Sequence, residues 1–128
     1  MKPGPMVQSG LRGVTSAIAA ISLLAVAGCH SYHVDATVEN HTGAAIQLLE
    51  VDYPSASFGA DKLGADAVFH YRIQLRGSGP LKVLYTTLDE RQVQIAGPTL
   101  AERQEGTLQI ELLPGGKAAF NPQLTPAP

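Results

Sequence analysis

The 128-residue chain has one cysteine, no tryptophan and seven aromatic residues in all, three Phe and four Tyr. A lone cysteine cannot close an intramolecular disulfide, so the apolar core has to hold the fold without a covalent staple. Lys and Arg together number nine against 11 Asp and Glu, and they are not clustered. This argues against a nucleic-acid partner, because phosphate binding needs concentrated positive charge. Catalytic signatures are also missing: there is no Gly-x-Ser-x-Gly, Walker loop, dinucleotide fingerprint, His-Glu-x-x-His or paired-cysteine zinc motif. Gly59 and Gly64 bracket Ala-Asp-Lys-Leu with no Lys-Ser/Thr after the second glycine, so that segment is not a phosphate loop. No nucleophile and base fall into a recognisable arrangement, which leaves a hydrolase as the weakest reading.

Acidic residues are missing before Asp35, whereas Lys2 and Arg12 precede a 14-residue apolar run from Val14 to Ala27. A membrane-spanning helix needs about 20 apolar residues; a run of this length behind positive charge has the form of a secretory signal. The run ends in Val26-Ala27-Gly28-Cys29, which resembles the lipobox of bacterial lipoproteins. That resemblance implies cleavage between Gly28 and Cys29, with 1–28 as signal peptide. It further implies a thioether-linked diacylglycerol and an N-acyl chain such as palmitate on Cys29. No other cofactor is expected, and the membrane becomes a partner through the lipid anchor. His30 stands where an Asp would retain such a protein in the inner membrane, so the resemblance points to the periplasmic face of an outer membrane, or to the cell surface if the host has one membrane. A lipidated Cys29 also explains an unpaired thiol in an exported chain. Residues 29–128 keep seven basic and all 11 acidic residues, a net charge of −4.

Beyond a short tether at 29–32 the pattern changes to strands. Val34, Ala36 and Val38 alternate with His33, Asp35, Thr37 and Glu39. Asn40-His41-Thr42-Gly43 supplies a turn; it also matches a glycosylation sequon, for which the hairpin is the simpler explanation. In the returning strand Ala45–Tyr53 the adjacent Leu48 and Leu49 shift the apolar phase, which predicts a β-bulge. Pro54–Asp66 reads as a 13-residue loop. Phe69, Tyr71, Ile73 and Leu75 then alternate with polar residues, and further strands are predicted around 81–85, 93–95, 107–113 and Phe120. Gly97-Pro98 is expected to end a strand, and 121–128, with three prolines, to form a disordered tail.

Frequent short strands with turn signals and no amphipathic helix after residue 29 imply an all-β fold, a single antiparallel β-sandwich over 33–120 with about seven strands. Its size resembles immunoglobulin-like and fibronectin type III-like domains, although the Trp and cysteine pair of antibody domains are absent. Gly97–Phe120 also resembles the closing hairpin of small exported bacterial proteins of unknown function, which implies no activity.

These features together suggest a non-catalytic binding or structural module of the cell envelope, held at a membrane and meeting an envelope protein or glycan. His30, His33 and Asp35 form a second candidate site, since imidazole with carboxylate suits zinc or copper; they underlie the alternative of a periplasmic metal-binding lipoprotein. His41 is at the other end of the first strand, roughly 26 Å away at strand rise. A stripe of His70, Arg72, Gln74 and Arg76 faces outward and suits an anionic glycan or acidic partner. Phe58, in the long loop, is either a lid on the core or an exposed anchor for a partner. Asp61 and Asp66 lack the spacing of a calcium loop.

Overall fold

Val34, Ala36 and Val38 are buried and the residues between them are not, as a strand with one face in a core requires. In the computed structural model, which describes residues 31–128, residues 32–128 form one compact unit. Its eight strands are β1 (Val34–Asn40), β2 (Ile46–Tyr53), β3 (Ala56–Leu63), β4 (Val68–Ile73), β5 (Gly79–Thr87), β6 (Gln92–Leu100), β7 (Gln104–Leu113) and β8 (Lys117–Pro126). They form two four-stranded sheets, ordered β4-β1-β7-β8 and β3-β2-β5-β6. The predicted β-sandwich is present. Its strand order differs from the ABED and CFG sheets of immunoglobulin constant domains. Here β1 lies inside a sheet, antiparallel to β4 and parallel to β7.

Between the sheets, alternate side chains from both inner faces make one core, including Val34, Val51, Leu81, Val83, Leu108 and Ile110, all at 0% exposure. Each long side of the sandwich is closed by aromatic packing. At the β3/β4 side Phe58 stacks on Tyr71, with centroids 4.9 Å apart and planes 9° from parallel, and Phe69 and Tyr53 flank it at 6.2 Å. Across the molecule Phe120 of β8 packs over Gly97 of β6, where a Cβ would come within 3.0 Å of both Phe120 and Leu81.

The bulge expected at Leu48-Leu49 is present. The β2–β5 register shifts by one between Gln47 and Glu50, and Leu48 takes φ 50° with its side chain 63% exposed while Leu49 is 3% exposed. Opposite it, a Cβ on Gly59 would collide with the Leu49 carbonyl, so glycine is required there.

Four sequence expectations need correction. The turn at 40–43 does not close a hairpin: β1 and β2 lie in different sheets, and the chain crosses from one to the other there. Residues 54–66 are not one loop: Pro54 and Ser55 make a tight turn and β3 pairs with β2 from Tyr53↔Ala56 to Ile46↔Leu63. As an edge strand β3 buries only Phe58 and Leu63 fully, and its Gly, Asp and Lys conceal the alternation. Gly97-Pro98 does not end β6; both residues sit opposite Leu81 in a bulge, and the strand continues to Leu100. Residues 121–128 are not a disordered tail, since β8 pairs with β7 as far as Gln104↔Pro126 and the Ala127 amide donates to the Arg103 carbonyl at 2.8 Å. Proline is compatible with an edge strand when its nitrogen faces away from the neighbour, and Pro122 and Pro126, four apart, point theirs to the same side.

Asn40 is a fully buried polar residue. Its Nδ2 donates to the carbonyls of Ala44 (2.8 Å), Leu63 (3.0 Å) and Gly64 (3.0 Å). Its Oδ1 accepts from the Thr42 amide (3.1 Å) and hydroxyl (2.7 Å). Burial of this amide rules out Asn40 as an accessible glycan acceptor in the folded state. Replacement by alanine leaves several buried groups without partners, so Asn40→Ala should cost about 3 kcal/mol and lower the melting temperature by about 15 °C. Asn40→Asp should do at least as much damage at neutral pH, because it sets a carboxylate against three carbonyl oxygens. Leu48→Asn should act in the opposite direction. It relieves a left-handed leucine at an exposed position, and thermal unfolding should show a gain of about 1 kcal/mol.

Candidate functional site

The direction of each strand sorts the connections to two ends. The β1–β2, β3–β4, β5–β6 and β7–β8 turns lie at one end, and the start of β1 lies at the other with the β2–β3, β4–β5 and β6–β7 connections. The chain therefore joins the sandwich at the end opposite four turns, of which β5–β6 and β7–β8 close hairpins while β1–β2 and β3–β4 cross between the sheets. At the joining end the Arg103 guanidinium lies 5.4 Å from the centroid of the Tyr32 ring, and the Gly106 amide donates to the His33 carbonyl at 3.2 Å.

At the hairpin end a cleft of about 570 Å³ opens between three of the turns. Thr42, Ala44 and Ala45 line one side, Thr87, Leu88, Asp89, Arg91 and Gln92 another, and Leu113, Gly115 and Gly116 the third. Tyr85 and Val93 contribute to its lining. Tyr85 is 3% exposed, and burial pushes its phenol pKa up. Leu88 is 58% exposed. The Thr87 hydroxyl donates to Asp89 Oδ1 and the Arg91 guanidinium to Oδ2 at 3.0 Å. The hydroxyl bond, with Arg91 beside it, holds the Asp89 carboxyl below its ordinary pKa.

Beside the cleft, on the outer face of the first sheet, three donors converge. Glu39 and Glu111 are register partners in the parallel β1–β7 pair. His41 follows β1 directly, and its backbone amide donates to the Leu112 carbonyl at 2.8 Å. Its Nδ1 lies 2.8 Å from Glu111 Oε1 and its Nε2 4.0 Å from Glu39 Oε2. Gln109 Nε2 donates to Glu39 Oε2 at 3.2 Å. One ligand atom from each of Glu39, His41 and Glu111 lies within 4.8 Å of the other two.

The residues singled out in the sequence are dispersed. Gly28, Cys29 and His30 lie outside the described residues. Asp35 pairs with Arg72 across β1 and β4 at 3.1 Å, so its carboxylate is engaged by a cation rather than by His33. Among the described residues, His33 and Asp35 belong to no three-donor cluster. His70 and Arg72 are exposed on β4, but Arg76 lies beyond its end and donates to Gln74 Oε1 at 2.8 and 3.0 Å. The cationic stripe is thus interrupted: one arginine is paired and the other is off the strand. Phe58 is 6% exposed; it lines the inside of the aromatic closure and is not an exposed anchor. Sequence reading missed Glu39 and Glu111, which are 72 positions apart and meet only through a parallel pairing that periodicity does not reveal.

Comparison with protein-family models and with curated protein sequences finds no match. Among solved structures the fold is similar to that of a protein from Eubacterium rectale determined by NMR, with a TM-score of 0.54 and 13% identity over 75% of this chain and 95% of that one. At that identity the likeness is one of fold.

The His41 pKa is raised above its ordinary value of 6.5, first by the hydrogen bond to Glu111 and then by the nearby charges of Glu111, Glu39 and Asp66, against some loss of hydration. A raised folded-state pKa means that protonation favours the fold. The contribution is therefore present below the unfolded value and lost as pH rises through the folded one. An NMR titration should place the His41 midpoint above 6.5, and Glu111→Gln should return it toward the ordinary value. A midpoint that did not move in the variant would refute the assigned cause.

Proposed function

We propose that the chain is a lipid-anchored binding module of the cell envelope, tethered through Cys29 and presenting its hairpin end to a protein partner. The observation that carries this reading is the opposition of the two ends: the chain joins the sandwich at one, and four turns, the β5–β6 and β7–β8 hairpins among them, and the cleft are at the other. A tether at Cys29, three residues before Tyr32, leaves the cleft facing away from the membrane. It holds the domain at high local concentration near envelope partners, and a diacylated and N-acylated cysteine anchors it stably where a single chain does not. The cleft favours a protein over a glycan. Its only aromatic, Tyr85, is 3% exposed, leaving little ring face for a sugar to stack on. Leu88 instead offers an exposed apolar contact beside the Asp89–Arg91 pair.

Two measurements test the anchor and the orientation separately. Cys29→Ala should abolish incorporation of labelled palmitate and move the protein out of the membrane fraction; unchanged fractionation overturns the anchor. A photo-crosslinking residue at Leu88 should capture a discrete envelope protein in cells, whereas the same probe at Ser55, at the opposite end, should not. Equal capture from both positions overturns the assignment of the hairpin end.

A further inference from the structure

We propose that Glu39, His41 and Glu111 form a binding site for a divalent transition-metal ion of the zinc class. This goes beyond the tethering role and does not depend on it. The donors are one imidazole and two carboxylates, a combination suited to zinc, whereas calcium and magnesium take oxygen ligands alone. Tetrahedral zinc with bonds of about 2.0–2.2 Å holds its ligand atoms roughly 3.4 Å apart. The three donor atoms already lie within 4.8 Å of one another, so side-chain rotations of small amplitude bring them to the ion.

The backbone supplies the preorganisation. Glu39 and Glu111 occupy adjacent strands in register, and His41 is tied to β7 by its own amide. Gln109 orients Glu39 from the same face, as a residue behind a metal ligand does. An independent sign comes from the charges. Carboxylates directly opposite on neighbouring strands repel, yet no lysine or arginine pairs with Glu39 or Glu111 among the described residues. His41 is the cationic partner available to both, and a divalent ion bound by all three offsets the repulsion better than one shared proton. Three protein ligands leave a fourth position for water or for a donor from a bound partner.

Titration of the full-length chain with zinc against a chromophoric chelator tests the site directly. One equivalent should bind, with His41→Ala weakening it at least about 30-fold and Glu111→Gln or Glu39→Gln about tenfold. His33→Ala and His70→Ala should leave it unchanged, and millimolar calcium or magnesium should not compete. Zinc should also shift the His41 ring signals in NMR spectra. Affinity weaker than about 1 mM, or full affinity in the His41→Ala protein, overturns the proposal; the isosteric Glu111→Gln keeps the test decisive if the alanine variant misfolds. Loss of binding in His33→Ala alone would likewise overturn it, by placing the metal at the start of β1.

Discussion

The buried amide of Asn40 is the constraint on which the hairpin end depends. The two sheets share no ladder, and hydrophobic burial is non-directional, so core packing alone leaves the turns free to settle in several ways. Asn40 removes that freedom. It ends β1 in one sheet, yet its side chain bonds the carbonyls of Leu63, which ends β3 in the other, and of Gly64 just beyond, and closes the turn through Thr42 and Ala44. Its backbone also bonds Asp66 and Ala67. Donors face carbonyls and the acceptor faces an amide and a hydroxyl, so the amide's orientation follows from its partners. Thr42 and Ala44 line the cleft, and His41 lies between Asn40 and Thr42. One satisfied polar residue therefore positions both the cleft wall and the imidazole.

Closing the sandwich's sides is a separate problem with a common solution. Each side ends in two edge strands that cannot hydrogen-bond to each other across the interior, so side chains must exclude water from the core. On one side the rings of Phe58, Tyr71 and Phe69 do so, and on the other Phe120 reaches over Gly97. The edges themselves are blunted by different means: Pro122 and Pro126 on β8, the Gly97-Pro98 bulge on β6, and Asp61 and Lys62 on β3. These are the devices by which edge strands avoid pairing with other chains. With few aromatics in the chain, spending most of them at the two sides leaves the cleft with a single buried tyrosine.

Legibility in the sequence followed burial. β1, β5 and β7 alternate cleanly because a whole face of each enters the core, β4 was legible through the alternation of Phe69, Tyr71 and Ile73 although only Ile73 is buried within it, and the β2 bulge was visible because Leu48 and Leu49 break the pattern. The sequence signal failed at the edge strands β3 and β8, where one or two inward residues suffice. β3 contains glycine for close approach to the Leu49 carbonyl, and β8 contains prolines that only an edge tolerates; each looks like a loop when composition is read without knowing where the strand sits. The candidate site was less legible still. His41 was noticed, but its partners are supplied by the β1–β7 pairing, and parallel strands so far apart in sequence leave no local trace. The clustering of His30, His33 and Asp35 in sequence, by contrast, does not become a cluster of Asp35 with His33, because Arg72 takes the Asp35 carboxylate.

The parallel pairing has a further effect on where chemistry can accumulate. In an antiparallel hairpin, neighbouring strand ends are joined by a short turn, so groups meeting there come from nearby sequence. A parallel pair brings together two strand ends that lead into different turns. At the hairpin end β1 runs into His41-Thr42 and β7 into Pro114–Gly116, so residues from both turns share one border while Glu39 and Glu111 stand side by side just below it. The carboxylates are on rigid strands and the cleft is framed by turns. A donor set needs fixed geometry, and a surface that meets a partner benefits from adaptable loops. This end of the fold supplies both within one turn of chain, and the pairing of β1 with β7 is the reason.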